Sequence, residues 1–389
     1  MKALQTISGL SAQSGGPSSC TFELLEGLSR LGAHVDLLTA SSTDMLGQGK
    51  PWMHDVPCDY KTPLGFSRNI ARFLRNTYYD VYHANALWSY TSHVTCQTAR
   101  ARQKPYVLSP HGMLYPTALA ISRWKKVPML KLWFSKDIHS AACIHATCEQ
   151  ERQYCREFGY KGPIAIIPNA VTLPDDVDSL FEQKKQYMYR DEQVGERVVF
   201  GFLGRLHPIK QVENILYALA QLPSDVLKRV SVIIIGKDDA QYEDFLRNEV
   251  VRLHLTNNVN FMGFVQGREK FEQLARMTAM FVPSRQENFG MIIPEALSVG
   301  TPVIASYGTP WQELNDCQCG WWTDCSPNNL AALMLQLVQF TSQRLLNMGR
   351  RGQKLIKEHY ASSTIANKMN AVYAWLANEA ERPDWIDTE

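Results

Sequence analysis

A chain of 389 residues exceeds one ordinary core, and a scale of roughly 150 residues per domain predicts two domains. Lys+Arg 40 against Asp+Glu 38 leaves a formal charge of +2, which excludes bulk nucleic-acid binding and confines any basic patch to a local one. The nine cysteines form no evenly spaced framework, so the thiols are expected to be reduced and the chain cytosolic.

The opening "MKALQTISGLSAQSGG" is interrupted by glycine and polar residues and does not read as a signal peptide. From there "ALQTIS" (3–8) and "AHVDLLTA" (33–40) read as strands around a helix "CTFELLEGLSRLG" (20–32). Phe22, Leu25 and Leu28 give that helix its apolar face and Gly32 ends it. "DVYHAN" (80–85), "YVLSPHG" (106–112), "CIHAT" (143–147) and "IAIIP" (164–168) continue the strand series. Strand–helix alternation implies a parallel sheet with helices on both faces. The polar run 171–197 reads as a linker between an N-terminal domain, 1–170, and a second series. That series comprises "VVFGFLGR" (198–205), "VSVIIIG" (230–236), "VNFMGFV" (259–265), "AMFVPS" (279–284) and "TPVIAS" (301–306), in a domain spanning 198–365. A last helix, 366–389, is expected to return to the first domain. Two doubly wound α/β halves place ligands beyond the carboxyl ends of their strands. No apolar run approaches the ~20 residues that span a bilayer.

In "PSRQENFGMIIPEALSVGTPVIAS" (283–306), Glu287 follows a strand and Glu295 sits in the first turn of a helix that ends at Gly300. Taken singly, Glu295 reads as a complement to the helix dipole, worth ~0.3–1 kcal/mol, and Glu287 as a solvated loop charge. Taken together, two carboxylates suited to sugar hydroxyls flank the amides of Phe289, Gly290 and Met291, which are suited to phosphate. Arg205 and Lys210 in "GRLHPIK" (204–210) follow another strand tip. There a guanidinium fork and an ammonium can meet a phosphate.

These stretches resemble a known family. "ENFGMIIPE" is similar to the E-x7-E motif of retaining GT-B glycosyltransferases of family 4, and "GRLHPIK" to their G-R-x4-K element. "SGGPSS" (14–19) resembles the N-terminal glycine loop, and "PHGM" (110–113) the first-domain histidine loop. "IPNAV" (167–171) matches a stretch that usually reads IPNGV, with Ala170 replacing the glycine. The resemblance covers nearly the whole chain, in order. It implies two Rossmann-like domains facing each other across a cleft, and a hexosyltransferase-type enzyme that moves a sugar from a nucleotide-sugar donor to a hydroxyl of a glycan or lipid-linked acceptor. Surface polysaccharide biosynthesis is the expected setting.

Residue roles follow from the same resemblance. Glu287 is implied to contact donor-sugar hydroxyls and Glu295 the ribose. Arg205 and Lys210 are implied to hold the diphosphate, with His111 beside the anomeric carbon. Gly15, Gly16, Gly236, Val265, Phe289, Gly290, Met291 and Ile292 complete the donor-binding set. A tight turn at Gly15 and Gly16, and a structural role for His111 at a strand end, are the plain alternatives. No cofactor or metal is expected. "DDVD" (175–178) falls in the linker and reads as a solvated acidic turn, and Cys317, Cys319 and Cys325 lack the paired C-x2-C spacing of zinc sites. "ISRWKKVPMLKLWFSKD" (121–137) mixes five basic residues with Trp124, Trp133 and Phe134. Two readings stand for it: an amphipathic segment on the anionic inner face of a membrane, or a solvated helix packing its tryptophans inward. Two rival functions remain: a glycoside hydrolase using the glutamate pair, and a non-enzymatic two-lobed sugar-binding protein.

Overall fold

The computed structural model describes residues 1–11, 16–41, 45–57, 59, 65–194, 198–237 and 241–388, with the side chains of 189–194 outside the description. Two units emerge, Met1–Thr172 with Tyr360–Glu389, and Leu173–His359. Among the described residues the first holds seven strands: β1 (Ala3–Ile7), β2 (Val35–Ala40), β3 (Met53–Val56), β4 (Val81–Asn85), β5 (Tyr106–Ser109), β6 (Cys143–Ala146) and β7 (Ile164–Ile166). Their order is β3-β2-β1-β4-β5-β6-β7, parallel throughout. The second holds β8 (Val198–Leu203), β9 (Val230–Ile235), β10 (Val259–Gly263), β11 (Ala279–Val282), β12 (Val303–Ser306) and β13 (Gly320–Thr323). Their order is β10-β9-β8-β11-β12-β13, also parallel. In each sheet the order reverses once, between β1 and β4 and between β8 and β11.

Helices cover both faces of the first sheet, so its central strands β1, β4, β5 and β6 are buried end to end. Side-chain alternation sorts them onto two cores. Ala3, Ile7, Val81, Val107 and Cys143 pack with Leu24, Leu25 and Leu28 of helix Gly16–Arg30 and with Ile365, Met369 and Tyr373 of helix Ser362–Leu376. Leu4, Tyr82, Ala84, Leu108 and Ile144 point to the opposite core, with Ile70, Leu74, Val94 and Phe134. The tail protects the sheet edge: Ile164 and Asp387 exchange backbone hydrogen bonds, and the Asp387 carboxylate pairs with Arg152 and Arg156, both at 3.0 Å.

The structure departs from the sequence reading in three respects. Strands β3 and β13 went unread because "MHDV" is a half-exposed edge strand and "GWWT" opens on glycine; neither alternates cleanly. The final helix begins at Ser362, upstream of the expected 366. The stretch 171–197 is not a bare linker, because it carries helix Val177–Val194. Phe181 and Met188 of that helix join the second core, and Lys184 is wholly buried. Its ammonium donates to the carbonyls of Ala275 (3.2 Å) and Met277 (2.5 Å) and to Thr301 Oγ1 (3.0 Å).

Burial pulls the Lys184 pKa down to about 7. An unfolded lysine titrates near ~10.4, so between these values the unfolded chain holds one more proton than the folded one and stability rises with pH. Lys184→Met strands three acceptors and should lower stability by ~1–3 kcal/mol or more at pH 7. It should also abolish that rise, so the gap to the parent protein widens in urea titrations between pH 7 and pH 9. An equal gap at both pH values overturns this account.

Candidate functional site

In the second unit the candidates Arg205, Lys210 and Glu287 lie in the loops after β8 and β11, where the sheet order reverses. The β8 strand leads into exposed Arg205 and a short turn, Pro208–Lys210, which His207 caps by accepting from the Ile209 amide at 3.2 Å. The Arg285 amide donates to the Ile209 carbonyl at 2.8 Å, which fastens this turn to the loop after β11. That bond places Lys210 against Glu287. The ammonium donates to Glu287 Oε1, which also accepts from Ser284 Oγ at 2.7 Å. The Glu287 amide is held in turn by the Gly308 carbonyl at 2.8 Å.

Glu295 turns to a different cation. It lies in helix Ile292–Ser298 and accepts from Lys270 Nζ at 2.7 Å, a lysine of helix Gly267–Arg276. Lys270 was missed in the sequence because one lysine in "GREKFEQLAR" looks like surface charge. The two glutamates thus have separate lysine partners on separate elements. Between them, Gly290 takes φ +79°, the left-handed turn that begins the helix. The Phe289 ring is buried against Trp311, and its carbonyl accepts from Trp311 Nε1 at 2.6 Å, so only its backbone is left to serve a ligand. Met291 and Ile292 stand half-buried at the helix start. Val265 is buried, which likewise restricts it to backbone contacts. Gly236 answers to packing: a Cβ there would lie 1.9 Å from the Gly204 carbonyl oxygen, directly before Arg205.

In the first unit, His111 follows β5 and faces Asn85 at the end of β4, with His111 Nε2 3.1 Å from Asn85 Oδ1. Ala86, Trp88 and His111 all take positive φ (69°, 60° and 51°), a concentration of costly left-handed backbone at adjacent strand ends. Buried Glu151, which the sequence reading missed, secures this loop. It accepts from the Gly112 amide and, through Oε2, from the Thr147 amide at 2.7 Å and hydroxyl at 2.8 Å. Gly16 begins helix Gly16–Arg30, whereas Gly15 lies outside the described residues.

The remaining candidates fall away from these clusters. Asp176 pairs with Arg268, and Asp178 with Lys357 at 2.6 Å, so "DDVD" is engaged as surface charge. Among the described residues, no group of three or more His, Cys, Asp or Glu side chains could hold a metal ion, and Cys317, Cys319 and Cys325 are free thiols. In the 121–137 stretch, Phe134 packs inward while Ile121, Trp124 and Leu132 are exposed, so the inward-packing alternative fails for Trp124. No described helix is long and apolar enough to cross a membrane.

Residues 14–173 match Glycosyltransferase Family 4, and residues 184–355 match Glycosyl transferases group 1. This chain belongs to the GT-B glycosyltransferases of family 4. Among its relatives is the O-antigen biosynthesis glycosyltransferase WclY of Escherichia coli, 24% identical over 214 residues, which are 55% of this chain and 56% of that protein. The match thus spans little more than half the length of that curated relative. Among the solved structures that share the fold of this family 4 chain are the following two. Alr3699/HepE of Anabaena, in complex with UDP and glucose, has a TM-score of 0.73 at 20% identity, covering 96% of this chain and 99% of that one. Sucrose-phosphate synthase from Thermosynechococcus elongatus has a TM-score of 0.71 at 19% identity, covering 98% and 100%.

The contact at Gly236 makes a direct prediction. Gly236→Ala should cost ~1–3 kcal/mol as its methyl pushes the Arg205 loop away. The check is its melting temperature, and an unchanged value means the loop yields freely.

Proposed function

We propose that this chain is a retaining hexosyltransferase that moves a sugar from a nucleotide-sugar donor to a hydroxyl of a glycan or lipid-linked acceptor, in surface polysaccharide biosynthesis. The observation that carries this reading is the Lys210–Glu287–Ser284 cluster beside Arg205 at the strand-order reversal of the second sheet. It joins cations suited to a diphosphate with a carboxylate suited to sugar hydroxyls. The relative named for O-antigen biosynthesis and the Anabaena structure in complex with UDP and glucose support the choice of pathway class and donor.

In this reading Arg205 and Lys210 bind the diphosphate and stabilise the charge it gains as its bond to the anomeric carbon breaks. The acceptor hydroxyl oxygen forms the new bond on the same face, and its proton passes to the departing phosphate oxygen. Glu287 orients the sugar through its hydroxyls, and Glu295, steadied by Lys270, takes the ribose. His111 of the first unit serves the donor sugar. The protein acts at the cytoplasmic face, where Ile121, Trp124 and Leu132, interspersed with Arg123, Lys125 and Lys131, suit an anionic membrane surface.

The experiment is turnover of UDP-, GDP-, ADP- and dTDP-sugars, with Arg205→Ala and Lys210→Ala beside the parent chain. Each substitution should lower kcat by on the order of 10²–10³ with the fold intact. Near-normal turnover in both removes the diphosphate assignment. Because side chains supply the charge, turnover should also persist in EDTA. Loss on chelation, restored by Mg²⁺ or Mn²⁺, would assign that task to a metal.

A further inference from the structure

The first sheet buries a row of polar side chains where a parallel sheet ordinarily buries only aliphatic ones. Gln5, His83, Asn85, Ser109 and His145 all point to the face covered by helix Ser362–Leu376, and each is buried. With Tyr373 of that helix and His111 they form, among the described residues, one hydrogen-bonded chain. His111 Nε2 meets Asn85 Oδ1 at 3.1 Å, Asn85 Nδ2 meets Gln5 Oε1 at 3.1 Å, and Gln5 Nε2 meets the Tyr373 hydroxyl at 2.8 Å. The hydroxyl meets His83 Nδ1 at 2.7 Å, and His83 Nε2 meets Ser109 Oγ at 2.6 Å. Ser109 Oγ meets His145 Nδ1 at 2.7 Å, and His145 Nε2 meets the Ile167 carbonyl at 2.8 Å.

The far end sets the direction of every bond. A carbonyl only accepts, so His145 Nε2 carries hydrogen. Burial pulls the His145 pKa down to about 4, so the ring is neutral and its Nδ1 must accept. Ser109 therefore donates to His145 and accepts from His83 Nε2–H. His83, also neutral because burial holds its pKa well below the ordinary value, accepts at Nδ1, which obliges the Tyr373 hydroxyl to donate there. With its one hydrogen committed, Tyr373 can only accept from Gln5. Gln5 then presents its carbonyl oxygen to Asn85, and Asn85 presents its own to His111. The chain leaves His111 a single neutral form, with hydrogen on Nε2 and the lone pair on Nδ1.

We propose that Tyr373 is a positioning residue that sets the tautomer and ring orientation of His111, more than 260 residues away in sequence, through this one-way hydrogen-bond chain. The proposal rests on the reading of His111 as a donor-sugar contact only for its effect on transfer. Its structural content stands apart from that reading. Without the Tyr373 hydroxyl, nothing fixes the Gln5 amide. Gln5 and Asn85 can each rotate by half a turn, and Asn85 then offers an N–H to His111 Nε2, which drives the hydrogen to Nδ1.

The test is long-range ¹H–¹⁵N correlation spectroscopy on full-length protein labelled with ¹⁵N-histidine at pH 7, with His111→Asn used to assign the signal, alongside kcat and KM. The parent chain should show His111 with hydrogen on Nε2. Tyr373→Phe keeps the buried ring but should move His111 partly or wholly to the Nδ1–H form. Kcat should fall roughly ten- to hundred-fold while KM is unchanged. A lost cavity contact alone would lower the melting temperature and leave the tautomer as it was. Ser109→Ala gives a second cut: His83 would then move its hydrogen to Nδ1, reverse the Tyr373 hydroxyl and release His111 in the same way. If either variant folds and retains the Nε2–H form, the proposal is overturned. If the tautomer moves while transfer rates hold, Tyr373 sets His111 as proposed, and the role of His111 in transfer is what falls.

Discussion

A parallel sheet covered by helices on both faces gives its strands no solvent-facing side, so chemistry must sit beyond their carboxyl ends. The candidate residues of both units lie there. Arg205 and the Pro208–Lys210 turn follow β8, and Glu287 follows β11. His111 follows β5, and Asn85 is the last residue of β4. At the reversal in strand order the connecting segments part to opposite faces, and the loops there are not packed over by a neighbouring crossover. The backbone bond from Arg285 to Ile209 closes the last gap in the second unit, because it decides which cation meets Glu287.

The two units meet the cost of polar groups differently. In the second, charges stay near the surface and pair off: Lys210 with Glu287, Lys270 with Glu295. In the first, neutral polar side chains enter the sheet and satisfy one another in sequence, which a buried network must do completely to be tolerated. That arrangement links the helix Ser362–Leu376 to the end of β5 by directional bonds as well as by apolar packing. Lys184 shows a third solution, a single buried ammonium given three acceptors.

Much of this was legible in the residues. Short runs alternating with amphipathic stretches marked the central strands, and the E-x7-E and G-R-x4-K spacings marked Glu287, Glu295, Arg205 and Lys210 as candidates, because spacing along a strand–loop–helix unit is a local property. What escaped was short, edge-like or remote. β3 and β13 lack a clean period. Lys270 and Glu151 are ordinary helix charges until the fold brings Glu295 and Gly112 to them. Gly236 read as a ligand-facing glycine, whereas its approach to the Gly204 carbonyl gives it a packing reason of its own.

The sequence alone determined two parallel α/β series and the loops that carry charge, since periodicity and strand-tip motifs are set by neighbours in the chain. Tertiary structure alone decided the pairings. Only the folded chain gives Lys210 and Lys270 to different glutamates, draws the 171–197 helix into the second core, and lays Tyr373 on the polar row of the first sheet. The physical reason is that these contacts join residues up to 368 positions apart. No local preference encodes such a contact; it appears once burial has removed water as the competing partner.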